Sequence, residues 1–243
     1  MGAAPHRRLA LIVNSFILLC LLFILSTVLA YGFLTLTATS GRTLRRIASR
    51  PEVAPAPGPP GWWQRYTVTA DGYTLALPPD WQVVPLDRSA LDRYAQGKGE
   101  VSLDPRLLDR AKERLNAGSG LWAALSPSDA SGAAASINII RQPLEKELSV
   151  EAFAQANIAS LQKEKTLIGP IRQDWLNLTA GRVLRTRVTF RSADQGGQEL
   201  QITQFYLVYR KNGYVLTATA KAEQAQHYAP TFEGIIRSLR WTA

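Results

Sequence analysis

The chain has 243 residues, 46% hydrophobic and 19% charged, the balance of a globular protein rather than a disordered one. Its formal charge is +9, but six of its 28 Lys+Arg (Arg7, Arg8, Arg42, Arg45, Arg46 and Arg50) precede residue 51 and none of its 19 Asp+Glu does, so the remainder sets 22 bases against 19 acids. A nucleic-acid-binding domain concentrates its charge on the folded body, so no nucleic-acid partner is expected. The basic flanks suit anionic lipid head groups instead.

Residues 1–8 form a short basic tail. No charge occurs from Leu9 to Ala38, and the run from Phe16 to Leu25 is strongly apolar. Crossing a bilayer takes about 20 such residues, so a transmembrane helix is expected over 9–36. A cleaved signal peptide is the rival, with Val28-Leu29-Ala30 as a tolerable cleavage site. Secretory apolar regions are shorter, about 7–15 residues, which favours an uncleaved anchor. The single cysteine, Cys20, lies inside this segment. It leaves the rest of the chain without a disulfide, a thiol nucleophile or a cysteine metal ligand.

Residues 37–61 read as a linker, basic and then proline-rich, with Pro51 to Pro60 favouring an extended spacer. The folded domain is expected over 62–243. Short strands at 66–69 and 73–77 flank Ala70-Asp71-Gly72, a hairpin turn. Asp104-Pro105 opens a helix with Leu107, Leu108, Ala111 and Leu115 on one face. Strands follow at 121–125 and 134–140, then a helix capped by Ser149 with Val150, Phe153, Ala154, Ile158 and Leu161 at helical spacing.

Strands are expected at 171–178, 182–191, 199–209 and 214–221. Gly196-Gly197 and Asn212-Gly213 supply turns that make the last three a meander. Tyr228, Phe232, Ile235, Ile236 and Leu239 mark a closing amphipathic helix. Hairpin-joined strands pair antiparallel. The expected fold class is therefore α+β: an antiparallel sheet flanked by helices, preceded by the transmembrane helix.

The segment Tyr73-Thr-Leu-Ala-Leu-Pro-Pro-Asp-Trp81 resembles the opening of PsbP-like domains. So does the tail: Gly181-Arg-Val-Leu184, a long hairpin, Tyr214 to Thr219, then Tyr228 through Phe232 to Leu239. The resemblance spans about residues 66–241 and rests on structural positions. It implies a PsbP-like sandwich, a group that includes PsbP, LpqN-type and DcrB-type proteins, and a binding or accessory role rather than an enzymatic one. It carries over no site residue. Counting flanking bases alone would leave the domain in the cytoplasm. Because many members of this group are exported or tethered, an extracytoplasmic domain on a single-pass anchor is expected.

No catalytic constellation stands out. His227 is the domain's only histidine and has no acid or cysteine at ligand spacing, so no metal and no cofactor are expected. Asp71, Asp80 and Asp87 sit near turns, where aspartate serves local hydrogen bonds. One pattern is functional in character. Along 182–191, Leu184, Val188 and Phe190 alternate with Arg185, Arg187, Thr189 and Arg191. Alternation puts Arg185, Arg187 and Arg191 on one face, with Thr217 and Thr219 expected beside them. That face reads either as solvated surface partly neutralised by Glu199 or as a groove for a protein partner or a small anionic ligand. With the apolar positions untouched, replacing the three arginines is expected to leave the fold intact.

The sequence thus points to a membrane-tethered, non-enzymatic interaction module of the cell envelope, in contact with lipid through its anchor. The alternative is a small-ligand or lipid-binding protein with a pocket between sheet and helices, lined by Trp81, Trp122 or Trp175.

Overall fold

A computed structural model describes residues 60–96, 105–116, 118–127, 135–164, 166–191 and 197–242. The expected tail, the transmembrane helix over 9–36 and nearly all of the linker lie outside these residues. Among the described residues no helix is long and apolar enough to cross a membrane.

The fold is α+β with antiparallel sheets. Strands β1 (Gln64–Val68) and β2 (Tyr73–Leu77) form the expected hairpin. Gly72 closes it at φ +72°, a left-handed conformation that glycine adopts without strain. A two-residue strand at the C-terminus, β10 (Arg240–Trp241), pairs with β2 and completes a small sheet.

The larger sheet has seven strands: β3 (Gln82–Val84), β4 (Gly120–Leu125), β5 (Ser136–Pro143), β6 (Leu167–Leu178), β7 (Gly181–Arg191), β8 (Glu199–Tyr209) and β9 (Asn212–Lys221). Their order is β3-β4-β5-β9-β8-β7-β6, antiparallel throughout. The expected three-strand meander is a four-strand one, because β6 also joins β7 by a tight hairpin. The β5–β9 pairing is long-range, and no local signal announces it.

Asn212-Gly213 is not the turn that the sequence predicts. Tyr209 pairs with Asn212, so the two-residue loop is Arg210-Lys211. Both have positive φ, +46° and +56°, as a two-residue hairpin loop of the favoured twist requires. Gly213 lies inside β9 and serves packing. A Cβ there would fall 2.3 Å from Cε2 of Phe153.

Among the described residues four helices flank the large sheet: α1 (Arg88–Ala95), α2 (Pro105–Asn116), α3 (Val150–Leu161) and α4 (Ala225–Ser238). Helix α1, which the sequence pattern does not announce, is capped by Asp87, whose Oδ1 accepts from the Ala90 amide at 2.8 Å. Ser149 caps α3 by accepting from the Ala152 amide at 3.1 Å, as its position predicts.

The two faces of the large sheet are packed differently. On the first, α4 and the small sheet bury one continuous apolar core that includes Trp81, Trp122, Ile137, Phe205, Leu216 and Phe232. Trp81 meets Phe232 edge-on at 6.2 Å between ring centres. On the second, the apolar residues form three separate groups. One lies under α1 and α2, and the other two under α3. The tryptophans proposed as pocket lining divide between these layers. Trp81 and Trp122 are core on the first face, whereas Trp175 packs on the second with the Arg182 guanidinium 3.9 Å from its ring centre.

Asp71 also departs from its expected local role. It is buried, and Arg141 on β5 reaches its Oδ1 through Nε at 2.7 Å. The same guanidinium bonds Asn212 Oδ1 at 3.2 Å and the Gly118 carbonyl at 2.9 Å, and the Tyr214 hydroxyl donates to the Asp71 carbonyl at 3.0 Å. A Cβ on Gly120 would fall 2.0 Å from Asp71 Oδ1, which is why glycine stands there. This pair fastens the N-terminal hairpin to the large sheet.

Candidate binding surface

Strand β7 places the arginines as its alternation predicts. Leu184, Thr186, Val188 and Phe190 are buried, while Arg185, Arg187 and Thr189 are partly exposed and Arg191 is exposed. The arginines project on the first face, where β6 and β7 run past α4.

Thr217 and Thr219 are not beside them. The register sets Arg185 opposite Phe205 of β8, which is opposite Leu216 of β9; Arg187 likewise leads through Thr203 to Ala218. Residues directly opposite share a face, so both threonines belong to the other one. Each is fully buried.

The three arginines differ in what holds them. Arg185 is bound on both sides. Its Nε lies 3.1 Å from each oxygen of Asp174 on β6, Nη2 reaches the same carboxylate, and Nη1 reaches Glu233 Oε2 on α4 at 3.2 Å. Burial alone pulls this guanidinium down, but the bonds and charges of Asp174 and Glu233 outweigh it and raise its pKa. Arg185 therefore ties the closing helix to the sheet, and its replacement would cut that tie, leaving Asp174 to Arg187 and Glu233 to Arg237. Of the three arginines, Arg185 is the one that bridges two elements of the fold.

Arg191 pairs with Glu199 at 2.9 Å at the far end of the strand, where both side chains are well exposed. Such a pair contributes little, about 0–1 kcal/mol.

Arg187 is the under-compensated one. Its Nη2 takes the remaining side of Asp174 at 3.1 Å. Burial, followed by the charge of Arg185, lowers its pKa; Asp174 opposes the shift and Arg172 adds to it. Arg172 is the residue that sequence reasoning missed. It stands directly opposite Arg187 on β6, and among the described residues no carboxylate pairs with it. The register of β6 shifts between Ile168 and Arg172, around Gly169 at φ +72°. That irregularity sets which β6 residue meets Arg187, and no periodicity in the sequence reveals it. Arg237 on α4 shares Glu233, at 2.7 Å. The cluster thus sets four guanidiniums against two carboxylates, with the surplus at Arg172 and Arg187.

His227 is exposed and meets Tyr228 edge-on at 5.1 Å. Among the described residues no three of His, Cys, Asp and Glu gather as a metal-holding group.

No protein-family model matches the chain, and no curated protein matches it. Several solved structures are similar in shape. LpqN of Mycobacterium tuberculosis, described as involved in cell envelope biogenesis, shares 11% identity over 75% of this chain and 92% of its own, with a TM-score of 0.45. The cyanobacterial PsbP of Synechocystis shares 10% over 73% and 91%, at 0.43. The Ran-binding protein Mog1p of Saccharomyces cerevisiae shares 10% over 74% and 95%, at 0.42.

Proposed function

We propose that this chain is a membrane-tethered, non-enzymatic accessory module of the cell envelope, PsbP-like in fold, and that it docks an acidic protein partner on the surface around Arg187 and Arg172. The uncharged stretch from Leu9 to Ala38 supports the tether. The observation that carries the docking surface is the cross-strand pairing of Arg172 with Arg187, of which only Arg187 reaches a carboxylate, and that one it shares with Arg185. Like charges directly opposite on a sheet destabilise it, so the free domain bears a cost that an incoming carboxylate would relieve. Guanidinium and carboxylate meet through two parallel charge-assisted bonds, which gives such a contact orientation as well as strength.

Two measurements test this reading. The full-length chain should sediment with membranes and resist carbonate extraction; release of an intact domain into the medium would overturn the tether. A polyglutamate peptide should bind wild type more tightly than the R172Q/R187Q variant, by about tenfold at low salt, given about 1.5–3 kcal/mol for a bond to a charged group discounted for exposure. Equal affinities would overturn the docking surface.

A further inference from the structure

The two edges of the seven-stranded sheet are unlike. Strand β3 closes one edge with three residues, Gln82–Val84. So short a strand offers little for another chain to pair with, and natural sheets keep their edges short, bulged, charged or interrupted by proline for that reason. Strand β6 closes the other edge with twelve residues, Leu167–Leu178. Its first part is interrupted. Gly169 stands at φ +72° and Pro170 follows it, inside the register shift. The remainder is not. From Arg172 to Leu178 the strand pairs with β7 in unbroken register, running from Arg187 to Gly181, and it contains no proline, lysine or bulge.

The register also fixes which main-chain groups of this stretch face outward. Leu178 and Gly181 flank the two-residue loop Thr179-Ala180. The pair that closes such a loop exchanges both main-chain bonds, and bonded and non-bonded pairs alternate from there. Leu176, Asp174 and Arg172 therefore bond to β7. The N–H and C=O groups of Gln173, Trp175 and Asn177 point away from it. Among the described residues no strand pairs on that side, and the side chains along it are exposed or half-buried.

The side chains of the edge set what would pair there. Arg172, Asp174, Leu176 and Leu178 lie on the first face of the sheet, and Gln173, Trp175 and Asn177 on the second. Arg172 is exposed, stands opposite Arg187, and has no carboxylate partner among the described residues. A strand added to β6 sets a residue directly opposite Arg172 on the same face, with about 4.5–5.5 Å between Cβ atoms. A glutamate there reaches the guanidinium. The adjoining residues of the added strand lie on the other face, towards Trp175, which is half-buried beneath the Arg182 guanidinium. Apolar side chains fit that side. Main-chain bonds supply affinity in strand addition and alternate side chains supply specificity, here through a charge-assisted contact.

We propose that β6 is a strand-addition edge. An acidic segment of the partner docks in extended form along Arg172–Leu178, bonds to the main chain of Gln173, Trp175 and Asn177, and sets a carboxylate opposite Arg172. The proposal rests on the acidic docking surface around Arg172 and Arg187 and states how the partner sits on it.

The test is the affinity of the full-length chain at low salt for the heptapeptide Glu-Val-Glu-Val-Glu-Val-Glu and for the same peptide N-methylated at its valines. Methylation keeps every charge and removes the N–H groups that would meet β6. The methylated peptide should bind wild type about tenfold more weakly. Gln173→Pro should weaken the parent peptide by a similar factor. Its nitrogen faces away from β7, so proline there removes no bond of the sheet. Where that variant does not fold, the methylated peptide still decides. Equal binding of the two peptides would overturn strand addition; a weaker grip of R172Q/R187Q on the parent peptide would then leave the docking surface standing on side-chain contacts alone. Equal binding of the parent peptide by wild type and R172Q/R187Q would overturn the surface itself. Sedimentation of wild type as a dimer and of Gln173→Pro as a monomer would give the edge to a second copy of this chain and overturn the acidic partner.

Discussion

The two faces of the seven-stranded sheet are built from the same strands and packed to different ends. The first carries one unbroken apolar core under α4 and the small sheet. The second carries three apolar groups, and a buried polar row of Asn138, Thr217, Gln204 and Thr186 runs between the two under α3. Alternation along β7, β8 and β9 gives each face its own residues, so the chain can fix its fold on one side and place buried polar groups on the other. The arginine cluster sits at the margin of the first face, where the sheet outruns its helical cover.

The comparison predicts unequal sensitivities. The largest effect belongs to the first face. Phe232→Ala removes the ring that Trp81 meets edge-on and leaves a cavity in a continuous core. The expected loss is about 2–5 kcal/mol, read as a fall of about 10 °C in the melting temperature. An unchanged melting curve would mean that α4 does not seal this face.

Next comes the Asp71–Arg141 fastening. Arg141→Met leaves a buried carboxylate unpaired, which costs about 3–5 kcal/mol in a fully buried setting. Arg141 is 21% exposed, so about 2–3 kcal/mol is expected, measured by urea unfolding. A loss under about 0.5 kcal/mol would make the pair ornamental.

A smaller effect concerns alkaline pH. Burial pushes the Tyr214 hydroxyl up to about 12, with Arg141 opposing and Asp71 assisting. Burial, with Asp71 and Tyr214 adding, raises Tyr73 well above its usual value, and its hydroxyl is unpartnered among the described residues. An unfolded tyrosine titrates near about 10. Because the folded values are higher, the neutral forms contribute stability that is complete below about pH 10 and is lost as pH rises towards about 12. Thermal scans from pH 8 to 12 should show this decline, and Tyr73→Phe should flatten it without loss at pH 7. An identical alkaline limb in the variant would contradict the assignment to Tyr73.

The smallest stability effect separates the arginines. Arg185→Gln should cost about 1 kcal/mol, because Asp174 and Glu233 lose their common partner in a partly exposed setting. Arg191→Gln should cost nothing measurable. Equal melting temperatures for the two variants would remove Arg185 from its structural role.

Much of the fold was legible because its signals are local. Ser149 announced a helix, Gly72 a turn, and the alternation of Leu184, Val188 and Phe190 a strand with an arginine side. Asn212-Gly213 misled because glycine there answers a ring from α3 rather than a turn, and sequence does not reveal which demand a glycine meets. The polar row was invisible for a related reason. Asn138, Thr217, Gln204 and Thr186 lie on four separate strands, and only the register brings them together. Arg172 escaped notice because a shift within β6 decides its partner.

The central claim is that the docking surface is the under-compensated pair, not arginine content as such. Its direct test is the affinity of the full-length chain for a polyglutamate peptide, measured at low and at high ionic strength for wild type, R172Q/R187Q and Arg191→Gln. The account predicts that the double variant loses about tenfold at low salt, that Arg191→Gln retains wild-type affinity, and that the difference shrinks at high salt as screening takes effect. Equal losses in the double variant and in Arg191→Gln would contradict it, because binding would then follow net charge and no localised surface would exist.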